Sequence, residues 1–265
     1  MGVLNITPDS FFDGGRYQNL DDAVERAYGI YEEGADILDI GGETTKPGSI
    51  PITEEEELSR IVPLLEALGG DYPIPISIDT QKPAVAKKAL ELGVRMINDV
   101  SGFENGEMRT LAASYQVDIC IMHKKGTTQN MQVCPKYEDG VIPSLLMWFE
   151  KRISLLLHEG VQSSQIIIDP GLGFGKNIDH KIDIYKSISK LKDLGYRLLI
   201  GGSRYLGKFV GKKSEECLPA TIILNTIAVL SGADIIRVHD VKEHNDLARI
   251  FNRFESHERE VATYE

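Results

Sequence analysis

The chain has 265 residues, 42% hydrophobic and 26% charged, the balance of a globular protein rather than a disordered one. Its 29 basic and 40 acidic residues leave a net charge of −11, which argues against a general nucleic-acid or anionic-membrane binder. Any anionic substrate must therefore be caught by a few local basic groups.

Three cysteines (Cys120, Cys134 and Cys217), odd in number and without CxxC spacing, argue against a disulfide framework or a zinc site. Cys120, inside Ile119-Cys120-Ile121, reads as a small buried hydrophobe. No apolar stretch approaches the roughly 20 residues that span a bilayer. Asn5, Pro8 and Asp9 interrupt any signal-peptide core, so a cytoplasmic protein is expected.

In chain order, β-rich runs at 2–5, 36–40, 74–79, 94–99, 118–123, 165–169, 197–202 and 234–239 predict strands. Helical spacing fills the intervals at 20–33, 54–68, 82–92, 106–115, 141–159, 180–193, 217–231 and 243–256. Runs such as Ile166-Ile167-Ile168 and Leu198-Leu199-Ile200 are what a parallel strand covered on both faces requires. Gly34, Gly93, Gly160, Gly195 and Gly232 each stand where a helix should stop, and Glu54–Glu57 stand where the second should begin. Eight units of about 33 residues predict an α/β fold, a single (β/α)8 TIM barrel over 1–265. A doubly wound open sheet is the alternative, but the first βα turn lacks the glycine-rich dinucleotide fingerprint.

A barrel builds its site at the C-terminal ends of its strands. Those ends read Asn5, Asp39, Asp79, Asn98 with Asp99, His123, Asp169, Ser203 with Arg204, and Arg237 with His239. A single Asp in such a place usually caps a helix; eight polar ends together point to a site. Asp79, Asn98 and Asp169, with no cationic neighbour in sequence, suit a flat heterocycle bearing several N–H donors. Arg237 and His239 alternate on one strand and so share a face, which with Asn5 suits an anionic leaving group such as pyrophosphate. Asn5 offers a hard oxygen to Mg²⁺ bridging the phosphates. The Gly/Pro-punctuated connections 7–19 and 41–53 are long enough to be binding loops.

The segments 1–11 (MGVLNITPDSF), 39–48 (DIGGETTKPG), 77–80 (SIDT), 97–102 (INDVSG), 122–132 (MHKKGTTQNMQ), 169–176 (DPGLGFGK) and 237–240 (RVHD) resemble dihydropteroate synthase. They run in order to about residue 240. The resemblance implies a (β/α)8 barrel enzyme of folate biosynthesis. That transferase joins 4-aminobenzoate to 6-hydroxymethyl-7,8-dihydropterin diphosphate by an SN1-like displacement, releasing pyrophosphate, and is inhibited by sulfonamides.

Position by position, the resemblance implies that Asp79, Asn98 and Asp169 hold the pterin, with Asp39 and Arg237 completing the pocket. Asn5, Lys46, Arg237 and His239 meet the diphosphate, and Asn5 is the protein's ligand to Mg²⁺, the expected cofactor. Thr45, Pro47, Phe174 and Ser203 line the 4-aminobenzoate site, while Asp13 and Lys46 act from the two long loops. A homodimer through the later helices is also implied.

Three departures stand out. Lys46 replaces the family's Arg, keeping the charge without the bidentate fork. The family's Ser-Arg-Lys is Ser203-Arg204-Tyr205 here: either Tyr205 replaces the lysine, or a two-residue insertion moves the basic group to Lys208, the favoured reading and a candidate catalytic residue. The family's N-terminal hairpin is expected to be absent, since Met1 coincides with a methionine inside the first motif. The sequence leaves open a cut-down piece, a domain of a longer folate-pathway polypeptide or a naturally short form. Two other functions compete, a pterin-binding methyltransferase with a corrinoid partner and a catalytically dead pterin-binding domain; the Phe174–Lys176 loop and the diphosphate pair Arg237/His239 argue against the first.

Overall fold

The computed structural model describes residues 1–7, 16–44, 49–126, 131, 135–202, 211 and 216–262. Eight strands alternate with helices in chain order. They are β1 (Gly2–Asn5), α1 (Arg16–Glu32), β2 (Leu38–Gly41), α2 (Glu54–Leu68), β3 (Ile76–Asp79), α3 (Pro83–Glu91), β4 (Met96–Asp99), α4 (Gly106–Tyr115) and β5 (Asp118–Met122). There follow α5 (Val141–His158), β6 (Ile166–Asp169), α6 (Ile178–Lys186), α7 (Ile188–Lys192), β7 (Arg197–Ile200), α8 (Leu218–Leu230), β8 (Ile235–Ile236) and α9 (Val241–Ala262).

Every strand pairs in parallel with the next, in the order β1 to β8. The ring closes because Val3 N donates to Val238 O at 3.0 Å and Val238 N to Met1 O at 3.0 Å, bridging Gly2 and Val238. This is the (β/α)8 barrel expected from the repeated units. Among the described residues no helix is long and apolar enough to cross a membrane.

The strands' two-residue period sorts the core into two layers. Leu38, Ile40, Ile78, Ile97, Ile119, Ile121, Ile166, Ile168, Leu198 and Ile200 point outward and pack under the helices, against Ile30, Ile61, Leu65, Val85 and Phe149. Alternate residues Met96, Cys120, Ile167 and Leu199 point inward with Ile37 and Ile235, plugging the barrel floor. Each Ile or Leu taken out of water contributes about 1.5–3 kcal/mol. Two residues on from Ile37, Met96, Ile167 and Ile235 the inward positions are Asp39, Asn98, Asp169 and Arg237, so the barrel is dry at its base and chemically equipped at its mouth. Cys120 is a buried floor residue, as its apolar run suggested.

Helix ends follow local chemistry. Thr53 Oγ1 accepts from Glu56 N at 3.2 Å, and Glu54–Glu57 occupy the first turn of α2, where the helix dipole favours carboxylates. The five glycines expected to end helices take φ between 82° and 105°, in the left-handed region.

Three expectations need adjusting. The helix predicted at 180–193 is two, broken at Ser187, where φ −121° and ψ 19° interrupt the helical run. The strand predicted at 234–239 shortens to Ile235–Ile236, although Arg237 N still donates to Ile200 O at 3.0 Å. Glu57 belongs to the acidic run that opens α2 but is fully buried.

Candidate active site

Strand parity decides which end residues enter the barrel. Asp39, Asp79, Asn98, Asp169 and Arg237 continue the inward rows of Ile37, Ser77, Met96, Ile167 and Ile235. Asp99 and His123 fall on the opposite parity. Asp99 Oδ1 accepts from Ser101 N at 2.7 Å, while Oδ2 accepts from Ser101 Oγ at 2.8 Å and Phe103 N at 2.9 Å. It braces a turn rather than capping a helix, since Asn105 caps the α4 that follows. His123 lies 3.0 Å from the ammonium of Lys176, outside the barrel lumen.

The cationic partner that sequence neighbours did not supply is Arg237. Its Nε donates to Asp39 Oδ2 at 2.6 Å and its Nη2 to Asp79 Oδ2 at 2.6 Å, so one guanidinium bridges two strands' carboxylates. Asn98 Nδ2 donates to the same Asp39 oxygen at 3.2 Å. Asp39 is fully buried, whereas Arg237 keeps 22% of its side chain exposed. The cluster therefore sits at the boundary between barrel interior and mouth. Asp39 Oδ1 and, beside it on β3, Ser77 Oγ are buried without a hydrogen-bond partner among the described residues, so the interior row retains unused polar capacity.

Electrostatics follow from this burial. Burial pushes Asp79 above the usual carboxylate range; Arg237 pulls it back, while Asp39, Glu57 and Asp99 push it up again. Burial likewise raises Asp169 to about 6, against the pull of Gly171 N–H, Arg237 and Lys176. The Gly171 bond to Asp169 Oδ1 is 2.7 Å. Burial pulls Arg237 down, but Asp39 and Asp79 outweigh it and hold the guanidinium charged. A pocket so lined presents carboxylate acceptors, one amide and one cation to a flat ligand.

Asn5, at the end of β1, is half-buried; a Cβ at Gly41 would stand 3.3 Å from its Oδ1, so the glycine leaves that amide open. Among the described residues no three His, Cys, Asp or Glu side chains gather into a metal cage. A single open amide oxygen fits a magnesium ion whose other ligands are substrate phosphates and water. His239 lies just past the end of β8, half-buried. Phe174 is half-buried in the β6–α6 loop, its N–H donating to Gly171 O at 3.0 Å. Asp13, Thr45, Lys46, Pro47, Ser203, Tyr205 and Lys208 lie outside the described residues.

The burial and bonding of two charged groups escaped the sequence reading. Lys82 donates to Glu43 Oε2 at 2.8 Å and Glu57 Oε2 at 2.5 Å, while Glu43 Oε1 accepts from Ile52 N at 3.0 Å. The two feet of the second long loop are thereby tied together. The other is Lys176, fully buried against His123 and Phe174. A charge at the close of a glycine-rich loop was the available signal for Lys176; Glu57 was hidden inside a run of solvated glutamates.

The profile of the family described as pterin binding enzyme matches residues 1–239. A dihydropteroate synthase of Clostridium beijerinckii is 39% identical over 254 residues, covering 94% of this chain and 91% of that protein. A Yersinia pestis dihydropteroate synthase solved with a sulfonamide drug superposes with a TM-score of 0.89 at 36% identity, covering 96% and 93% of the two chains. A Xanthomonas albilineans dihydropteroate synthase solved with 4-aminobenzoic acid gives a TM-score of 0.88 at 33% identity, covering 96% and 92%. With an inward row of three aspartates, an asparagine and an arginine at the barrel mouth, and this similarity along nearly the whole chain, the protein belongs to the pterin-binding enzyme family, among the dihydropteroate synthases.

Proposed function

We infer that this chain joins 4-aminobenzoate to 6-hydroxymethyl-7,8-dihydropterin diphosphate, yielding 7,8-dihydropteroate and pyrophosphate for folate biosynthesis. The observation that carries the reading is the Arg237 bridge between Asp39 and Asp79 at the mouth of a barrel whose adjoining inward positions are Asn98 and Asp169. The carboxylates of Asp79 and Asp169 accept the pterin's N–H groups, and Asn98 pairs with its ring edge. Arg237 uses two of its N–H groups on carboxylates, and others remain for the diphosphate.

The C–O bond between the pterin methylene and the diphosphate breaks, its electron pair leaving with pyrophosphate. The methylene cation forms among the buried carboxylates, which favour positive charge beside them. The aniline nitrogen of 4-aminobenzoate then attacks and its N–H proton is released. Charge separation rather than a protein nucleophile is what the site stabilises. Arg237, His239, Asn5 and Lys46 receive the departing anion. Magnesium, held by Asn5 and the substrate's own phosphates, supplies neutralising charge when bound. Thr45, Pro47, Phe174 and Ser203 line the 4-aminobenzoate side, where sulfonamides compete, and Asp13 and Lys208 are the remaining candidate catalytic groups.

We further propose a cytoplasmic homodimer. In α8 the buried residues are Thr221, Asn225 and Ala228, whereas Ile223 (60% exposed) and Leu230 (72%) face out, and on α9, which packs against α8, Ile250 and Phe254 are exposed as well. Such an outward apolar face suits a second copy. Light scattering of the wild type and of Leu230→Glu tests this; a monomeric wild type refutes it.

The test of the reaction is pyrophosphate release from the pterin diphosphate with Mg²⁺, as 4-aminobenzoate is varied. Release that saturates with 4-aminobenzoate and is inhibited competitively by a sulfonamide is expected. Release indifferent to 4-aminobenzoate refutes the synthase reading, and near-normal rates in both Asp79→Ala and Arg237→Ala refute the site.

A further inference from the structure

Lys176 closes the β6–α6 loop and is fully buried, yet among the described residues no carboxylate touches its ammonium. Its Nζ donates to Phe174 O at 3.0 Å and His123 O at 3.2 Å and lies 3.0 Å from His123 Nδ1. Three acceptors for three N–H groups make a complete shell built from neutral atoms. Taking an ammonium out of water without a counter-ion is costly, so a side chain serving only to fill this space would be apolar. The cost registers as a downward push by burial, to about 7, which Asp169 opposes and Lys181 and Lys125 reinforce. The ammonium also dictates the state of its partner: Nδ1 must accept, so His123 is neutral with its proton on Nε2. Burial and Lys176 accordingly push His123 down to about 3. Trp148 fixes the ring edge-on at 5.2 Å between centroids.

These bonds join two loops that lie backbone to backbone. A Cβ at Gly171 would fall 2.2 Å from His123 O, and one at Gly175 would fall 2.5 Å from Lys125 O. Tyr137 Oη donates to Gly175 O at 3.0 Å, adding a second tie one residue beyond Phe174. Phe174 thus hangs between its own N–H bond to Gly171 O and the Lys176 bond on its carbonyl. The groups assigned to the pterin stand on or at the ends of strands; Asp169 alone meets this loop, through the Gly171 N–H and the charge of Lys176.

We propose that Lys176 is a positioning residue: by tying the carbonyls of His123 and Phe174 together, it holds the Phe174 ring where 4-aminobenzoate docks. This rests on the reading of Phe174 as part of the 4-aminobenzoate site. The consequence is selective, loosening one substrate's wall far more than the other's.

The experiment is steady-state kinetics with each substrate varied, on the full chain and on Lys176→Met, Tyr137→Phe and Phe174→Ala. Lys176→Met keeps the stem and removes the donors. Its KM for 4-aminobenzoate should rise about tenfold, the loss of part of one charged hydrogen bond. The KM for the pterin diphosphate and kcat should stay within about threefold. Tyr137→Phe should shift the same parameter by about twofold to threefold, and it carries the test if Lys176→Met does not fold. An unchanged KM for 4-aminobenzoate in the folded Met variant, or in the Phe variant standing alone, overturns the proposal, as does an equal rise for both substrates. If Phe174→Ala leaves that KM unchanged, the site reading fails at its own residue, a result distinct from failure of the clamp.

Discussion

Replacing Arg237 by Met keeps the reach of the side chain and deletes the guanidinium that bridges Asp39 and Asp79. Two N–O contacts of 2.6 Å disappear, leaving one fully buried and one nearly buried carboxylate facing each other without a cation. Removing one partner of a buried ion pair costs about 3–5 kcal/mol, a large share of the roughly 5–15 kcal/mol that holds a domain folded. The loss should depend on pH. Burial already raises the folded Asp79 above its ordinary value of 3.8, and without Arg237 it rises further. A carboxyl with a raised folded pKa is stabilised in its protonated form, so native stability is retained at acid pH and lost as pH climbs through the folded value. Urea unfolding of Arg237→Met should therefore show the full deficit at pH 8 and about half or less at pH 5.5. Arg237→Met/Asp79→Asn should recover about half the deficit at pH 8, and pyrophosphate release in the single variant should fall by about a hundredfold or more. A deficit under about 1 kcal/mol at pH 8, or one equal at both pH values, would refute the bridge as the element that keeps these carboxylates buried.

Other outcomes follow from neighbouring groups. Asp169, raised to about 6, accepts pterin N–H bonds on both oxygens only when ionised, so pterin affinity measured by calorimetry should fall up to about tenfold per pH unit below 6. Stability should move the opposite way, declining as pH rises from about 4 towards 6, and an affinity flat over pH 5–7 would sink the assignment. Gly171→Ala places a Cβ 2.2 Å from His123 O at φ 63°, a backbone conformation costing L-residues about 1–2 kcal/mol before the clash is counted. Denaturant unfolding should show a loss of at least about 2 kcal/mol with weaker pterin binding; wild-type values for both would contradict the close approach of the two loops. Lys82→Met strands the fully buried Glu57 and should cost about 3–5 kcal/mol, partly restored by adding Glu57→Gln; an unaltered melting curve would count against the buried tie.

Local chemistry was legible because it acts over a few residues. Ile166–Ile168 is apolar throughout because a strand covered on both faces must be, and Thr53 precedes four glutamates because a helix start needs an acceptor and favours anions. Period-two alternation alone separates Asn98 from Asp99, which is why one faces the lumen and the other braces a turn. The breaks at Ser187 and after Ile236 were less visible, since helix and strand ends are decided by what packs against them. The eightfold alternation, the barrel and the set of polar strand ends were thus determined by the sequence itself. Tertiary structure alone decided the pairings. Arg237 meets Asp39 from 198 positions away because ring closure sets β8 beside β1, and Lys176 meets His123 across 53 positions because two glycine-lined loops come into backbone contact. A charge carries no mark of its partner in its own neighbourhood. Which carboxylate a buried cation satisfies depends on barrel closure and strand stagger, properties of the assembled sheet rather than of any segment.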